Sequence, residues 1–407
     1  MNNIKNEKIK TGIYSSAITF LICVLVFMWF FYPNMKKATS GSSDNYADHF
    51  DEIQKYVDKY SIFSFDQEKA YQNASYGYLC GLSDDKYIGS FSQDEYNEYV
   101  SGNEGNFTGI GIQFYYTTGT LEEGLLIWRV LGDSPAEKAG VKPGDVLTAI
   151  DGETIYDKTY SFVLDKLQGE EGKSSDINVA RGKETLTFSL TRTKFVIRDI
   201  SYYLTDTHIG VVSIDEFTDN VYSQFKEAIK NLSDKGAKGI IFDLRNNPGG
   251  NLDTVCDMVD LLVPTGSEIA KIEYKDSSET IYAKEDPIID MPYVVLTNRS
   301  SASAAELFSS ALRDLLGTPL VGEKTYGKGV GQQTFRLSDG SAIKLTTFRY
   351  YTKSHTDYNN IGLIPNYNVE MTLSEYKNFY AMQDSGDTQK QKAKEVLQTL
   401  ISEKGNR

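Results

Sequence analysis

Histidine is scarce in this sequence: His49, His208 and His355 are the only three in 407 residues. They are dispersed, which excludes a His-rich metal centre and leaves imidazole little part in acid–base chemistry. Cysteine is as rare. Cys23, Cys80 and Cys256 are too few and too scattered for a disulfide framework or a thiolate zinc site, so no metal and no cofactor is expected. An excess of basic charge is missing too. The chain carries 42 Lys+Arg against 56 Asp+Glu, a formal net charge of −14, without the basic stripe that a nucleic-acid binder needs to neutralise phosphates. Internal repeats are absent. With 12% aromatic residues, 28 of them Tyr, the chain is not of disordered composition. At roughly 150 residues per domain its length suggests two to three domains.

One long apolar run is present. Residues 11–35 contain no charged side chain and are flanked by Lys5, Lys8 and Lys10 on one side and by Lys36 and Lys37 on the other. About 20 apolar residues span a bilayer, and Trp29 and Tyr32 stand where amphipathic rings favour the interface. Bulky Trp29, Phe30 and Phe31 occupy the place where a cleaved signal needs small residues. The expectation is an uncleaved signal anchor in residues 1–35, contacting the membrane through 11–35, with the rest outside the cytoplasm. A small, polar linker follows over 36–48.

Residues 49–106 carry apolar residues at helical spacing (Phe50, Ile53, Tyr56, Val57, Tyr60) and read as a helical segment. From Phe107 the pattern changes to short strands and turns. In Ser134-Pro135-Ala136-Glu137-Lys138-Ala139-Gly140 the serine can N-cap, the proline fits the first helical turn and the glycine can end the helix. The run SPAEKAGVKPGDVLTAIDG resembles the PDZ domains of bacterial secreted proteases, which places such a domain at 107–195. Such domains capture a C-terminal carboxylate on loop N–H groups and add the tail as a strand. The resemblance implies that Gly109, Ile110, Gly111 and Ile112 form the carboxylate loop.

From about Val196 strands and helices alternate, the organisation of an α/β core with crossover helices over 196–375. A charged helical tail occupies 376–407. Two segments in the core look unlike scaffold. In IIFDLRNNPGG (240–250) a buried strand runs into a turn whose glycines let backbone N–H groups face a ligand, as an oxyanion hole requires. In 293–333 a second strand delivers a Ser/Ala cluster to a helix whose core face is Ala304, Leu307, Phe308, Ala311, Leu312 and Leu315. Ser303 at that helix start could simply cap it. Lys328, between Gly327 and Gly329, has no obvious acidic partner in sequence. Burial should lower its pKa and make it a general base for a serine nucleophile.

Together the two blocks resemble the carboxy-terminal processing peptidases, Ser–Lys endopeptidases of bacteria and chloroplasts. The likeness covers nearly everything after the anchor. It implies a nucleophile at Ser303 in Ser301-Ala302-Ser303-Ala304-Ala305-Glu306 and a base at Lys328 in Thr325-Tyr326-Gly327-Lys328-Gly329. It also implies a lysine-orienting Gln332, oxyanion donors at Gly249 and Ala304 N–H, and a crotonase-like α/β core. Ala305 and Gly331 depart from the usual pattern without touching a catalytic group. The expected substrates are envelope or secreted proteins with exposed C-terminal tails, and a homodimer is compatible. The rival readings are a non-catalytic PDZ adaptor, a trypsin-fold protease and acyl-CoA chemistry. The first predicts loss of Ser303, Lys328 or Gln332. The second needs a His-Asp-Ser triad ahead of its PDZ domain, and the third explains neither PDZ domain nor anchor.

Overall fold

The computed structural model describes residues 46–64, 66–82, 84–116 and 121–405. The expected anchor lies outside these residues; among the described ones no helix is long and apolar enough to cross a membrane. The chain divides into two compact units, Met1–Ala70 and Tyr71–Arg407. In the first, the helical spacing of Phe50, Ile53, Tyr56 and Tyr60 gives α1 (Tyr46–Tyr60), with those four side chains exposed. Helix α2 (Gln67–Leu82) carries the chain into the second unit.

The segment read as helical also holds one short strand. Strand β1 (Gly89–Phe91) follows α2, then α3 (Gln93–Asn103). Ser92 and Glu95 form a capping box on α3, each binding the other's backbone N–H. The glycine-rich turn then leads into β2 (Asn106–Gly109).

The next stretch forms β3 (Ile112–Phe114), β4 (Leu125–Val130), α4 (Pro135–Ala139), β5 (Val146–Ile150) and β6 (Glu153–Thr154). It continues with α5 (Tyr160–Leu167), β7 (Ser174–Arg181), β8 (Glu184–Thr191) and β9 (Thr193–Val196). The signals read for α4 act as expected: the Ser134 hydroxyl accepts the Glu137 N–H at 3.1 Å, and Gly140 closes the helix at φ 91°. The sheet runs β3-β4-β5-β7-β8 with β6 on β5, over a core of its own that includes Ile127, Leu147, Val163 and Ile177. Chain entry and exit pair as an antiparallel ribbon, β2 with β9, Phe107 opposite Phe195.

The rest supplies β10 (Ile200–Leu204), β11 (Ile209–Ile214), α6 (Val221–Asp234), β12 (Gly239–Asp243) and α7 (Leu252–Asp260). After these come β13 (Glu268–Tyr274), β14 (Ser278–Tyr282), β15 (Tyr293–Thr297), α8 (Ala304–Leu316) and β16 (Leu320–Gly322). The chain ends with β17 (Val330–Arg336), β18 (Ala342–Tyr351), β19 (Tyr367–Asn368), α9 (Leu373–Lys377) and α10 (Thr388–Gly405). A six-stranded sheet has the order β10-β11-β12-β15-β16-β19, parallel except for β10. Every residue of β12 and β15 is buried, as continuous apolar runs in a two-sided parallel sheet must be. Helices α6, α7 and α8 pack on one face around Phe225, Phe242 and Phe308; Ala393, Val396 and Leu397 of α10 cover the other. A second, antiparallel sheet, β1-β18-β13-β14 with β17 on β18, was foreseen only at β18.

Candidate active site

Strands β12 and β15 are parallel neighbours, so the turns after them emerge side by side. Hydrogen bonds lace the two turns together. Asn246 N–H donates to Asn298 Oδ1 at 3.0 Å, Ala302 N–H to the Asn247 carbonyl at 3.0 Å, and the Ser301 hydroxyl to the Leu244 carbonyl at 2.8 Å. Ser303 follows at φ 56°, ψ −116°, a conformation a non-glycine residue keeps only when its surroundings over-determine it.

Much of that determination comes from Glu306, in the first turn of α8 and fully buried. Its carboxylate accepts the Ser303 N–H (2.9 Å), the Thr325 hydroxyl (2.5 Å), the Gly327 N–H (2.7 Å) and the Lys328 N–H (2.7 Å). Burial pushes this carboxyl up, and the four donors oppose that push. One side chain thus ties the backbone of Ser303 to that of Lys328. The sequence marks no role for Glu306, and only the loop that returns to it reveals one.

Gly249 has φ 113°, and a Cβ there would lie 2.7 Å from Ser303 Cβ and 3.0 Å from Ala304 N, so no side chain fits. Its N–H donates to Asn247 Oδ1 at 2.8 Å, inside the turn. The Ala304 N–H at the start of α8 has no acceptor among the described residues. Of the two expected oxyanion donors, then, one is open and one is engaged.

Lys328 and Ser303 line a common cleft of about 730 Å³, with Ala304, Gln332, Phe348 and Tyr350. Tyr350, unremarked in sequence, stands between them: its hydroxyl donates to the Lys328 carbonyl at 2.6 Å and lies 3.3 Å from Ser303 Oγ. Burial, with a contribution from Lys344, holds the Lys328 ammonium below its ordinary pKa, against Asp85 and Glu306. Its Nζ sits 4.8 Å from the centroid of the Tyr87 ring. It makes no hydrogen bond to Ser303 or Gln332. The Gln332 amide donates instead to Thr346 Oγ1 at 3.0 Å, because a register shift between β17 and β18 sets Gln332 opposite Thr346.

The expected carboxylate loop lies apart, and no residue of the β3–β8 sheet lines the cleft. Ile110 is buried, with its carbonyl taking the Ala136 N–H at 2.9 Å. Gly111 has φ 80°, and a Cβ there would meet Ser134 Cβ at 2.1 Å. Ile112 opens β3, an edge strand of its sheet. His355 lies against Glu268 at 3.4 Å, outside the cleft.

Residues 208–369 match the model of peptidase family S41, and residues 129–181, inside the stretch read as 107–195, match a PDZ domain. A Staphylococcus haemolyticus protein described as a CtpA-like serine protease is 33% identical over 285 residues, 67% of this chain but 56% of the relative. The carboxyl-terminal-processing protease of Synechocystis sp. is 32% identical over 310 residues, covering 75% of this chain and 71% of that one. A solved structure of a Bacteroides fragilis protein assigned to the S41 proteases has a TM-score of 0.62 at 18% identity, over 84% of this chain and 93% of that one. That likeness concerns the fold alone. The chain belongs to the carboxyl-terminal processing proteases of peptidase family S41, serine peptidases with a PDZ domain.

Proposed function

We propose that the chain is an envelope endopeptidase, anchored in the membrane by residues 11–35, that captures C-terminal tails of proteins on its PDZ domain and cleaves them by a Ser303–Lys328 dyad. The observation that carries this reading is Ser303, strained at the start of α8, sharing a cleft with a partly desolvated Lys328 while one buried carboxylate pins both backbones. Neutral Lys328 would take the Ser303 proton as Oγ attacks the scissile carbonyl. The oxyanion would be held by Ala304 N–H and by Gly249 N–H once that donor turns from Asn247. Protonated Lys328 then returns its proton to the leaving amine. Water, deprotonated by Lys328, hydrolyses the acyl-enzyme and restores the Ser303 hydroxyl. Capture of the tail along the edge strand β3, with its carboxylate on the 109–112 loop, fits strand addition. The parallel run of β11, β12, β15 and β16, covered on both faces by helices, supports a crotonase-like description of the core.

In this conformation Lys328 must leave Tyr87 to reach Ser303, and Gln332 must leave Thr346 to hold it. A PDZ adaptor without activity would also tolerate such a geometry, so the assay has to be catalytic. Ser303→Ala and Lys328→Ala should each lower cleavage of a protein with an apolar C-terminal tail by at least ~10⁴-fold while the fold survives. Wild-type turnover in Lys328→Ala would refute the dyad.

A further inference from the structure

A segment outside both matched family regions reaches the lysine of the cleft. Asp85, Lys86 and Tyr87 lie between α2 and β1 and precede residue 129, where the first match begins. Asp85 fixes the segment to β18. Its carboxylate accepts the Thr346 N–H at 3.0 Å, the Thr346 hydroxyl at 3.0 Å and the Tyr87 N–H at 2.9 Å. Because Thr346 Oγ1 also accepts the Gln332 amide, this anchorage reaches the residue expected to orient the lysine.

Tyr87 reaches the lysine directly. Its ring centroid lies 4.8 Å from Lys328 Nζ, which has no hydrogen-bond or ion-pair partner among the described residues. A ring face at this distance attracts a cation through its quadrupole and has no comparable attraction for a neutral amine. The catalytic form of Lys328 is the neutral one, so the ring favours the wrong protonation state for attack and the wrong position for reaching Ser303. We infer that Tyr87 is a positioning residue for Lys328: its ring is the resting place of the protonated ammonium, holding it off the Ser303 hydroxyl until substrate enters. This inference rests on the Ser–Lys reading.

Other groups act on the same ammonium. Lys344 on β18 opposes the charge, as does burial; Asp85 and Glu306 favour it. Lys86 Nζ stands 5.1 Å from the Tyr87 ring and 5.6 Å from the Tyr326 ring. The Tyr350 hydroxyl is committed to the Lys328 carbonyl. Apart from Lys86, which shares the Tyr87 ring, none of these is altered by changing the ring alone.

The test is the pH dependence of kcat/KM for wild type, Tyr87→Phe and Tyr87→Leu, with thermal unfolding of each. Activity rises with pH as Lys328 loses its proton. Removing the quadrupole should therefore move the midpoint of the rise in Tyr87→Leu to lower pH, by roughly half a unit to one unit. Tyr87→Phe, which keeps the ring, should retain the wild-type midpoint. A Leu variant with an unmoved or raised midpoint, or a Phe variant that moves with it, overturns the inference. If Tyr87→Leu does not fold, Tyr87→Met makes the same comparison. Lys328→Ala, run in parallel, separates the two ideas: activity in that variant defeats the dyad, whereas an inactive Lys328→Ala with an unmoved Tyr87→Leu defeats only the role of Tyr87.

Discussion

At the scale of single residues, the cleft depends on a side chain buried beneath it. Glu306 gathers four donors from two loops, and a carboxylate is the one side chain that accepts from all of them without presenting a donor of its own. Glu306→Gln is close to isosteric but turns an NH₂ group toward backbone N–H groups. The expected result is a loss of kcat of about 10²-fold or more and a stability loss of ~2–4 kcal/mol, since buried donors lose their acceptor and the strain at Ser303 loses its clamp. Near-wild-type kcat with the same unfolding midpoint would show the clamp to be dispensable. Ser303, Lys328 and Gly249 were legible in sequence because short motifs surround them. Tyr87 and Tyr350 were not: each belongs to an unmarked stretch, and only pairing of β1, β17 and β18 brings them to the lysine.

At the scale of elements, the central sheet was readable and the second sheet was not. The apolar runs of β12 and β15 and the core face of α8 announce themselves, because burial on both faces forbids polar residues. Strands β13, β14 and β17 keep charged or polar residues on an exposed side, so their alternation is weak. The sequence predicts α10 as a charged helical tail, but neither its docking on the sheet nor the ion cluster at its start. Arg245, two residues beyond β12 and almost fully buried, binds Asp243 (2.6 Å) and Asp387 (2.7 Å) and donates to Gln389 at 3.1 Å. Burial alone would raise the Asp243 carboxyl, yet Arg245 overrides it and holds that group below its usual range. Arg245→Ala leaves buried Asp243 without its ion-pair partner and Asp387 with only the 3.8 Å contact to Lys390, and should cost ~3–5 kcal/mol in urea unfolding. Adding Asp387→Asn should recover part of this, and strictly additive losses would argue against the pairing.

At the scale of the whole second unit, the PDZ sheet is seated on the catalytic sheet by a few strong contacts. Arg129 on β4 pairs with Asp215 beyond β11, and the Trp128 indole donates to the Tyr376 carbonyl at 3.0 Å. Beside Asp215, Asp199 is buried and accepts the Thr218 hydroxyl at 2.7 Å. Burial, with Asp215 and Glu216 close by, pushes its carboxyl up to about 7. An unfolded aspartate titrates near ~3.9, so between about pH 4 and pH 7 the folded chain keeps a proton the unfolded chain has lost. The stability contributed by Asp199 is therefore present at low pH and falls as pH rises through that window. Asp199→Asn, which still accepts from Thr218, should flatten the dependence and gain ~2–4 kcal/mol on wild type between pH 4 and pH 8. Parallel pH curves for the two proteins would refute this.

The ribbon of β2 and β9 sets Phe107 opposite Phe195, so the two ends of the PDZ stretch stand shoulder to shoulder. Ends that close cost little to join, and a domain bounded this way can be lost, duplicated or exchanged without re-threading the sheet that carries Ser303. Under the proposed capture of tails by the PDZ domain, recognition is thereby a cassette. Recombination can alter which proteins are cut, while the chemistry of cutting evolves under constraints of its own.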